Sequence, residues 1–144
     1  MEKISLVVPA YNEEQSLQLF YEEVRQVFNE LDYELIFIND GSQDNTAEIL
    51  ENLASKDEKV KVCHLSRNFG QQASILCGLS HAKGDAIIVM DADLQDPPSI
   101  ALQMIEKWKE GYYIVHGKRK SRTGESFFKK ATADLFYAFT RKIT

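Results

Sequence analysis

Two cysteines in 144 residues, Cys63 and Cys77, are too few for a disulfide framework and form no C-x-x-C pair. Both lie in apolar stretches, which predicts reduced, buried thiols in a cytoplasmic compartment and argues against structural zinc. No run approaches the ~20 apolar residues that a membrane span requires, and Glu2 and Lys3 head a strand rather than a signal peptide. The glycine loops with which other α/β folds cradle phosphate are missing too. Neither G-x-x-x-x-G-K-[ST] nor G-x-G-x-x-G follows a strand, which argues against kinases, ATPases and dehydrogenases. The three histidines, His64, His81 and His116, lack metal-ligand spacing and are read as surface or core side chains.

What is present describes one folded domain. Hydrophobic residues make up 44% of the chain and charged residues 27%, and a chain of this size buries roughly 68 to 70% of its unfolded surface without staples. The net charge of −5 hides an asymmetry. Residues 1–117 carry nine basic and 20 acidic side chains, whereas residues 118–144 carry eight and two. A cationic tail on an anionic body calls for an anionic partner. Nucleic acid is the poorer candidate, because the body repels it and no nucleic-acid-binding motif occurs.

Short β-rich runs alternate with helical periodicity, the pattern of a parallel sheet covered by helices. Strands are expected at Lys3 to Val8, Glu34 to Ile38, Lys61 to Leu65, Ala86 to Met90 and Tyr113 to Val115. Helices are expected over Glu13 to Glu30, Thr46 to Ser55 capped by Asp44 or Asn45, Gln71 to His81, and from an Asp96 cap to Gly111. Near the end, Phe128, Ala131, Leu135, Phe139 and Ile143 make one helical stripe flanked by Lys129, Lys130, Arg141 and Lys142. That stripe suits either a packing helix that closes the domain or a helix at a membrane interface. It also runs to Thr144 without a C-cap signal, which predicts that the sequence is part of a longer protein.

In such a fold the functional loops sit at the carboxyl ends of the strands. Acidic side chains cluster at three of them: Pro9-Ala10-Tyr11-Asn12-Glu13-Glu14, Asn39-Asp40-Gly41-Ser42-Gln43-Asp44, and Asp91-Ala92-Asp93-Leu94-Gln95-Asp96. Clustered carboxylates raise one another's pKa unless a cation or donors neutralise them, and a divalent metal is the simplest remedy. Asp-x-Asp after a buried strand suits Mg²⁺ or Mn²⁺ on a diphosphate. The plainer alternative is that Asp91 and Asp93 are turn and cap residues.

Val7-Val8-Pro9-Ala10-Tyr11-Asn12-Glu13, Asn39-Asp40-Gly41-Ser42-x-Asp44-x-Thr46, Arg67-Asn68-x-Gly70, Gly84-Asp85 and Met90-Asp91-Ala92-Asp93-Leu94-Gln95-Asp96-Pro97-Pro98 resemble the family 2 glycosyltransferases of GT-A fold. Within them the similarity is greatest to polyprenyl-phosphate glycosyltransferases, the group that holds bactoprenol glucosyltransferases and dolichol-phosphate mannose synthases. The resemblance implies a mostly parallel α/β sheet, with residues 1–117 as a nucleotide-sugar-binding core and 118–144 as an acceptor-side or membrane-proximal segment. It implies a donor pocket formed by Pro9, Ala10, Tyr11, Glu13, Asp40, Gly41, Ser42, Asn68, Gly70 and Ala92, with Asp40 accepting from the base.

By the same resemblance Asp91 and Asp93, with Gln95 added, hold Mg²⁺ or Mn²⁺ on the donor diphosphate, and Arg119 and Lys129 meet the acceptor phosphate. The partners it implies are UDP-glucose before other nucleotide sugars, a polyprenyl phosphate, and the cytoplasmic face of the cell membrane. GDP-mannose and dolichol-type chemistry come second, and a soluble polysaccharide acceptor third. From other classes, a nucleotidyltransferase and a non-catalytic nucleotide-sugar-binding module stay open; the former normally needs a glycine- and lysine-rich first loop, where this chain has Tyr11-Asn12-Glu13-Glu14.

Overall fold

The computed structural model describes residues 2–117. Four parallel strands, β1 (Lys3–Ala10), β2 (Asp32–Asn39), β3 (Val60–His64) and β4 (Ala86–Val89), stand in the order β3-β2-β1-β4. They alternate with α1 (Leu17–Val27), α2 (Thr46–Lys56), α3 (Gln71–His81) and α4 (Ser99–Lys109). β1 pairs with β2 from Lys3↔Asp32 to Ala10↔Asn39 and with β4 from Ile4↔Ala86 to Val7↔Val89. The strand order therefore reverses between β1 and β4, which puts a ligand crevice at their carboxyl ends.

The period-2 alternation of the strands sorts the core. Ile4, Leu6, Val8, Ala10, Leu35, Phe37, Val60, Ile88 and Met90 share one cluster with Leu17, Phe20 and Val24 of α1, Leu50 and Leu53 of α2, and Ala101 and Ile105 of α4. α3 lies on the opposite face. Its Gly78 is pressed so closely to β1 that a Cβ there would meet Val7 Cγ1 at 2.2 Å. On this face Ile87 and Val89 of β4 stay 42% exposed.

Several boundaries differ from the periodicity. α1 begins at Leu17 rather than Glu13, because Ser16 and Leu17 both donate to the Glu13 carbonyl in a turn, while the Glu13 and Glu14 amides are drawn away to Thr46 Oγ1 and Asp44 Oδ2. It ends at Val27, short of Glu30. The expected cap of α2 is shared: Asn45 holds the N-cap position, and Asp44 Oδ1 accepts from the Thr46 amide at 2.9 Å. α4 begins after Pro98 rather than at an Asp96 cap.

Tyr113 to Val115 is not a strand. Tyr113 is fully exposed and Ile114 nearly so, and β-rich composition without a neighbouring ladder among the described residues does not make a strand. The cysteines are half-buried rather than buried, with their sulfurs 3.4 Å apart and free. Burial, with the neighbouring Cys63, pushes the Cys77 thiol up to about 11. The helical stripe expected after residue 118 lies outside the described residues.

One buried charge fixes the amino-terminal half of the sheet. Glu34 on β2 is 1% exposed. Its Oε1 accepts from Ser5 Oγ at 2.6 Å and from the Lys83 amide at 2.7 Å, and its Oε2 pairs with Lys61 Nζ and, at 3.7 Å, Lys3 Nζ. Ser5 Oγ accepts in turn from the Gly84 amide at 2.8 Å, where a Cβ would lie 2.6 Å from the Ser5 nitrogen. Burial alone would raise the Glu34 pKa, but the bonds from Lys61, Ser5 and the Lys83 amide override it and bring the value from 4.5 down to about 2.

A carboxyl that titrates lower in the folded than in the unfolded chain contributes stability that is complete above 4.5 and lost as the pH falls toward 2, here up to roughly 3 kcal/mol. Glu34→Gln should therefore cost about 2–4 kcal/mol in urea unfolding at pH 7. The gap to the parent should narrow at pH 3; a gap that is constant with pH would refute the assignment.

Candidate functional site at the carboxyl ends of the strands

The four loops that leave the carboxyl ends of the strands are tied to one another in sequence order. The first, after β1, meets the second, after β2, through reciprocal bonds: the Asn12 amide donates to Ser42 Oγ at 3.0 Å, and the Gln43 amide to Asn12 Oδ1 at 2.8 Å. Glu14 Oε2 accepts from both the backbone and the side-chain amide of Asn45, and the Asp40 amide donates to the Ala10 carbonyl. Asn12 carries φ +55°, a left-handed conformation that this double contact holds in place.

The second loop meets the third, between β3 and α3, through Asp40. This carboxylate is 4% exposed, and its two oxygens accept from the amides of Phe69 at 2.7 Å and Gly70 at 2.9 Å. The approach is so close that Gly41, at φ +67°, has no room for a side chain: a Cβ would lie 2.4 Å from the Arg67 carbonyl carbon. The third loop meets the fourth, after β4, through Gln71, the first residue of α3, whose Nε2 donates to Asp91 Oδ1 at 3.0 Å.

The sequence-derived residues thus converge on one edge of the sheet, though not all of them point into the crevice. Tyr11, Asn68, Asp91, Asp93 and Gln95 are exposed, Pro9, Gly41, Ser42 and Gly70 half-buried, and Ala10 and Ala92 buried. The Glu13 carboxylate turns onto the Ser16 hydroxyl at 2.7 Å. Both oxygens of Asp40 already hold backbone amides, so only its remaining lone pairs can serve a base. Asp93 Oδ1 accepts from the Gln95 amide in a tight turn, with Leu94 at φ +60°. Asp44, by contrast, is spent on structure. Burial pushes its pKa up, but bonds from the Thr46 side chain and amide and the Glu14 amide outweigh this and hold it low. Arg119 and Lys129 lie outside the described residues.

Among the described residues no three His, Cys, Asp or Glu side chains gather into a set able to hold a metal ion by themselves. Two exposed carboxylates one residue apart, Asp91 and Asp93, instead fit a hard cation that keeps waters and takes further ligands from a bound diphosphate. Sequence reasoning passed over Gln71, Asn12 and His64. Each acts through a partner 20 to 31 positions away, a relation that no local spacing encodes. A separate groove, lined by Tyr21, Arg25, Tyr33, Lys56, Asp57 and Lys59, opens beside the amino-terminal end of β2, away from this edge.

The four-strand 3-2-1-4 sheet with its acidic loops at the switch point is shared with solved GT-A glycosyltransferases. Similar solved structures are S. aureus TarS 1-349 in complex with UDP (TM-score 0.62, 22% identity, covering 88% of this chain and 39% of that one) and the mannosyltransferase PcManGT from Pyrobaculum calidifontis in complex with GDP-Man and Mn²⁺ (TM-score 0.59, 20% identity, 74% and 32%). At these identities the likeness is one of fold. The chain belongs to glycosyl transferase family 2, whose profile it matches over residues 5–143.

Among curated relatives it is 49% identical over 142 residues to the uncharacterized glycosyltransferase YkcC of Bacillus subtilis, covering 97% of this chain and 44% of the relative. It is 46% identical over 145 residues to the prophage bactoprenol glucosyl transferase homolog of Escherichia coli and 45% identical to the bactoprenol glucosyl transferase of Shigella phage SfV, each match covering 99% of this chain and 47% of the relative. The chain thus spans less than half the length of these relatives.

Gly41→Ala should cost at least about 2 kcal/mol, because both left-handed strain and a backbone clash oppose it. Gly70, at φ +93° and ψ +159° but with open space around a Cβ, should lose about 1–3 kcal/mol from backbone strain alone on the same change, less than Gly41, which adds the clash. Denaturant melts of the two variants check the order; equal costs would remove the close packing of Gly41 against Arg67 as the reason for glycine.

Proposed function

We propose that the chain is the donor-binding part of a metal-dependent, inverting glycosyltransferase that moves glucose from UDP-glucose to a polyprenyl phosphate at the cytoplasmic face of the cell membrane. The observation that carries this reading is the pair of exposed carboxylates, Asp91 and Asp93, at the open end of four interlocked strand-end loops in a family 2 chain. The choice of acceptor and sugar is supported by the bactoprenol glucosyl transferases that match 99% of the chain.

Breaking the bond between a sugar and a diphosphate leaves a nucleoside diphosphate on which negative charge develops, and Mg²⁺ or Mn²⁺ supplies Lewis-acid stabilisation of that charge. Asp91 and Asp93, with Gln95, would hold it. Gln71 fixes the Asp91 carboxylate by donating to Oδ1, so that one of its oxygens is oriented before donor arrives. Tyr11, Ser42 and Asn68 would line the place of the nucleoside, beside the junction that Asp40 makes with the Phe69 and Gly70 amides. The acceptor phosphate oxygen is already an anionic nucleophile, so no strong base is needed. Its attack on the anomeric carbon, opposite the departing diphosphate, forms the new C–O bond as the old one breaks and inverts the configuration.

The basic segment 118–144 would face the lipid, each Lys or Arg near an anionic leaflet contributing ~1 kcal/mol. Arg119 and Lys129 are assigned to the acceptor phosphate. Among the described residues no helix is long and apolar enough to cross a membrane.

In the full-length protein, Asp91→Asn with Asp93→Asn should weaken Mn²⁺-dependent UDP binding at least ~100-fold in calorimetry. Unfolding should shift by less than ~0.5 kcal/mol, because both side chains are exposed. Undiminished UDP binding would remove the metal assignment. Arg119→Ala with Lys129→Ala should leave UDP affinity unchanged and lower turnover on undecaprenyl phosphate about tenfold or more; equal losses on both sides would contradict the acceptor-side role. A nucleotide-sugar panel with undecaprenyl phosphate tests the reaction itself, and the absence of any lipid-linked sugar would overturn it.

A further inference from the structure

The donor loops are braced from behind by a side-chain relay that crosses three elements. At the end of β2, Asn39 is 4% exposed. Its Oδ1 accepts from the Ser42 amide at 3.0 Å, and its Nδ2 lies 2.9 Å from Nδ1 of His64, the last residue of β3. The other ring nitrogen, Nε2, lies 2.6 Å from Glu51 Oε1 on α2. Ser42 then receives the Asn12 amide, which joins the relay to the first loop.

The chemistry of the donors leaves one self-consistent assignment. A backbone N–H only donates, so the Asn39 carbonyl end must face Ser42 and its NH₂ end must face His64. Nδ1 must therefore accept, the ring proton must sit on Nε2, and that proton donates to the Glu51 carboxylate. We propose that His64 is a positioning residue of the donor site: its neutral, Nε2-protonated ring holds the Asn39 amide in the orientation that fixes Ser42 and, through it, Asn12. A second ring proton would set a donor against a donor at Nδ1. Turning the amide over only moves the conflict to the Ser42 N–H.

Among the described residues, the ring meets the Glu51 carboxylate of α2 at Nε2 and the Asn39 amide of β2 at Nδ1. Asp40 directs its carboxylate at Phe69 and Gly70, while Lys61 and Cys63 alternate to the opposite face of β3 and meet Glu34 and Cys77. Protonation of His64 therefore costs the second loop one hydrogen bond, and the donor affinity that depends on that loop should fall by roughly three- to tenfold.

The inference rests on the strand-end crevice being the donor site, and the test separates the two. In the full-length protein at pH 8, long-range ¹⁵N–¹H correlation should report the His64 proton on Nε2; a proton on Nδ1 overturns the relay. UDP affinity in the presence of Mn²⁺ is then compared from pH 8 to pH 5.5 in parent, Asn39→Asp and His64→Gln proteins. The titration of UDP and of the metal carboxylates is common to all three, so only differences in slope count.

Asn39→Asp sets a carboxylate against the accepting Nδ1 of the neutral ring and matches only a protonated one, so its affinity should be reduced at pH 8 and should not show the extra decline of the parent toward pH 5.5. His64→Gln removes the titrating ring and should likewise lose that extra three- to tenfold decline. Equal slopes in all three overturn the positioning role. Failure of the parent to bind UDP at any pH overturns the donor-site reading instead.

Discussion

The loops at the carboxyl edge of this sheet are joined through one buried carboxylate that accepts two consecutive backbone amides. The Phe69 and Gly70 N–H groups leave a strand and enter a helix, so neither has a partner within a ladder or a helical turn. Asp40 supplies both acceptors from the neighbouring strand end, in the short, charge-assisted form that is stronger than a neutral bond. The loops can approach this closely only because residue 41 has no side chain. An amide in place of the carboxylate would offer one acceptor and one donor to two donors, so the site asks for an acid here for reasons of fold before any reason of ligand. From this junction the bracing runs outward, through Gly70 and Gln71 to Asp91 on one side, and through Ser42 to Asn12 on the other.

The exposed carboxylates of the fourth loop and the buried structural ones follow opposite logic. Asp40 and Glu34 are removed from water with both oxygens of each engaged by protein donors, which is the condition under which a buried charge can persist. Asp91 and Asp93 stand in the open with one oxygen each engaged by a neighbour. Their remaining lone pairs are directed by the fold yet not consumed by it, and such pre-orientation lowers the ordering that a ligand must impose when it binds.

Most of the fold was legible in the chain because the strands expected at Lys3 to Val8, Glu34 to Ile38 and Ala86 to Met90 carry short apolar runs, Leu6 to Val8, Leu35 to Ile38 and Ala86 to Met90, between segments of helical period. The bounds of α3 were legible too, set by Gly70 before it and the extended Ala82 after it. Where periodicity misled, tertiary contact had the stronger claim. Glu13 and Glu14 have helical character, yet their amides go to the second loop, and Tyr113 to Val115 has strand character without a ladder. At the site, topology put the acidic loops on one edge without help. What could not be read was who holds whom: the bonds from Phe69 to Asp40, Gln71 to Asp91 and His64 to Asn39 depend on side-chain directions at positions far apart in sequence. The histidine looked ordinary because its partners, an asparagine and a glutamate on other elements, form no motif.

β2 is fastened at both ends by carboxylates to segments that come later in the chain, Glu34 to the amide of Lys83 and Asp40 to those of Phe69 and Gly70. Loop-closure entropy then favours an order of assembly. The β1–α1–β2–α2–β3 half can form from neighbours in sequence, whereas α3 and β4 find their acceptors only on a β2 already in place, and β4 must also close the long loop from Ile4 to Ala86. The half of the domain that carries Asp91 and Asp93 thus takes its anchoring from β2, so a change at Glu34 or Asp40 reaches those two carboxylates through α3 and β4 without touching either.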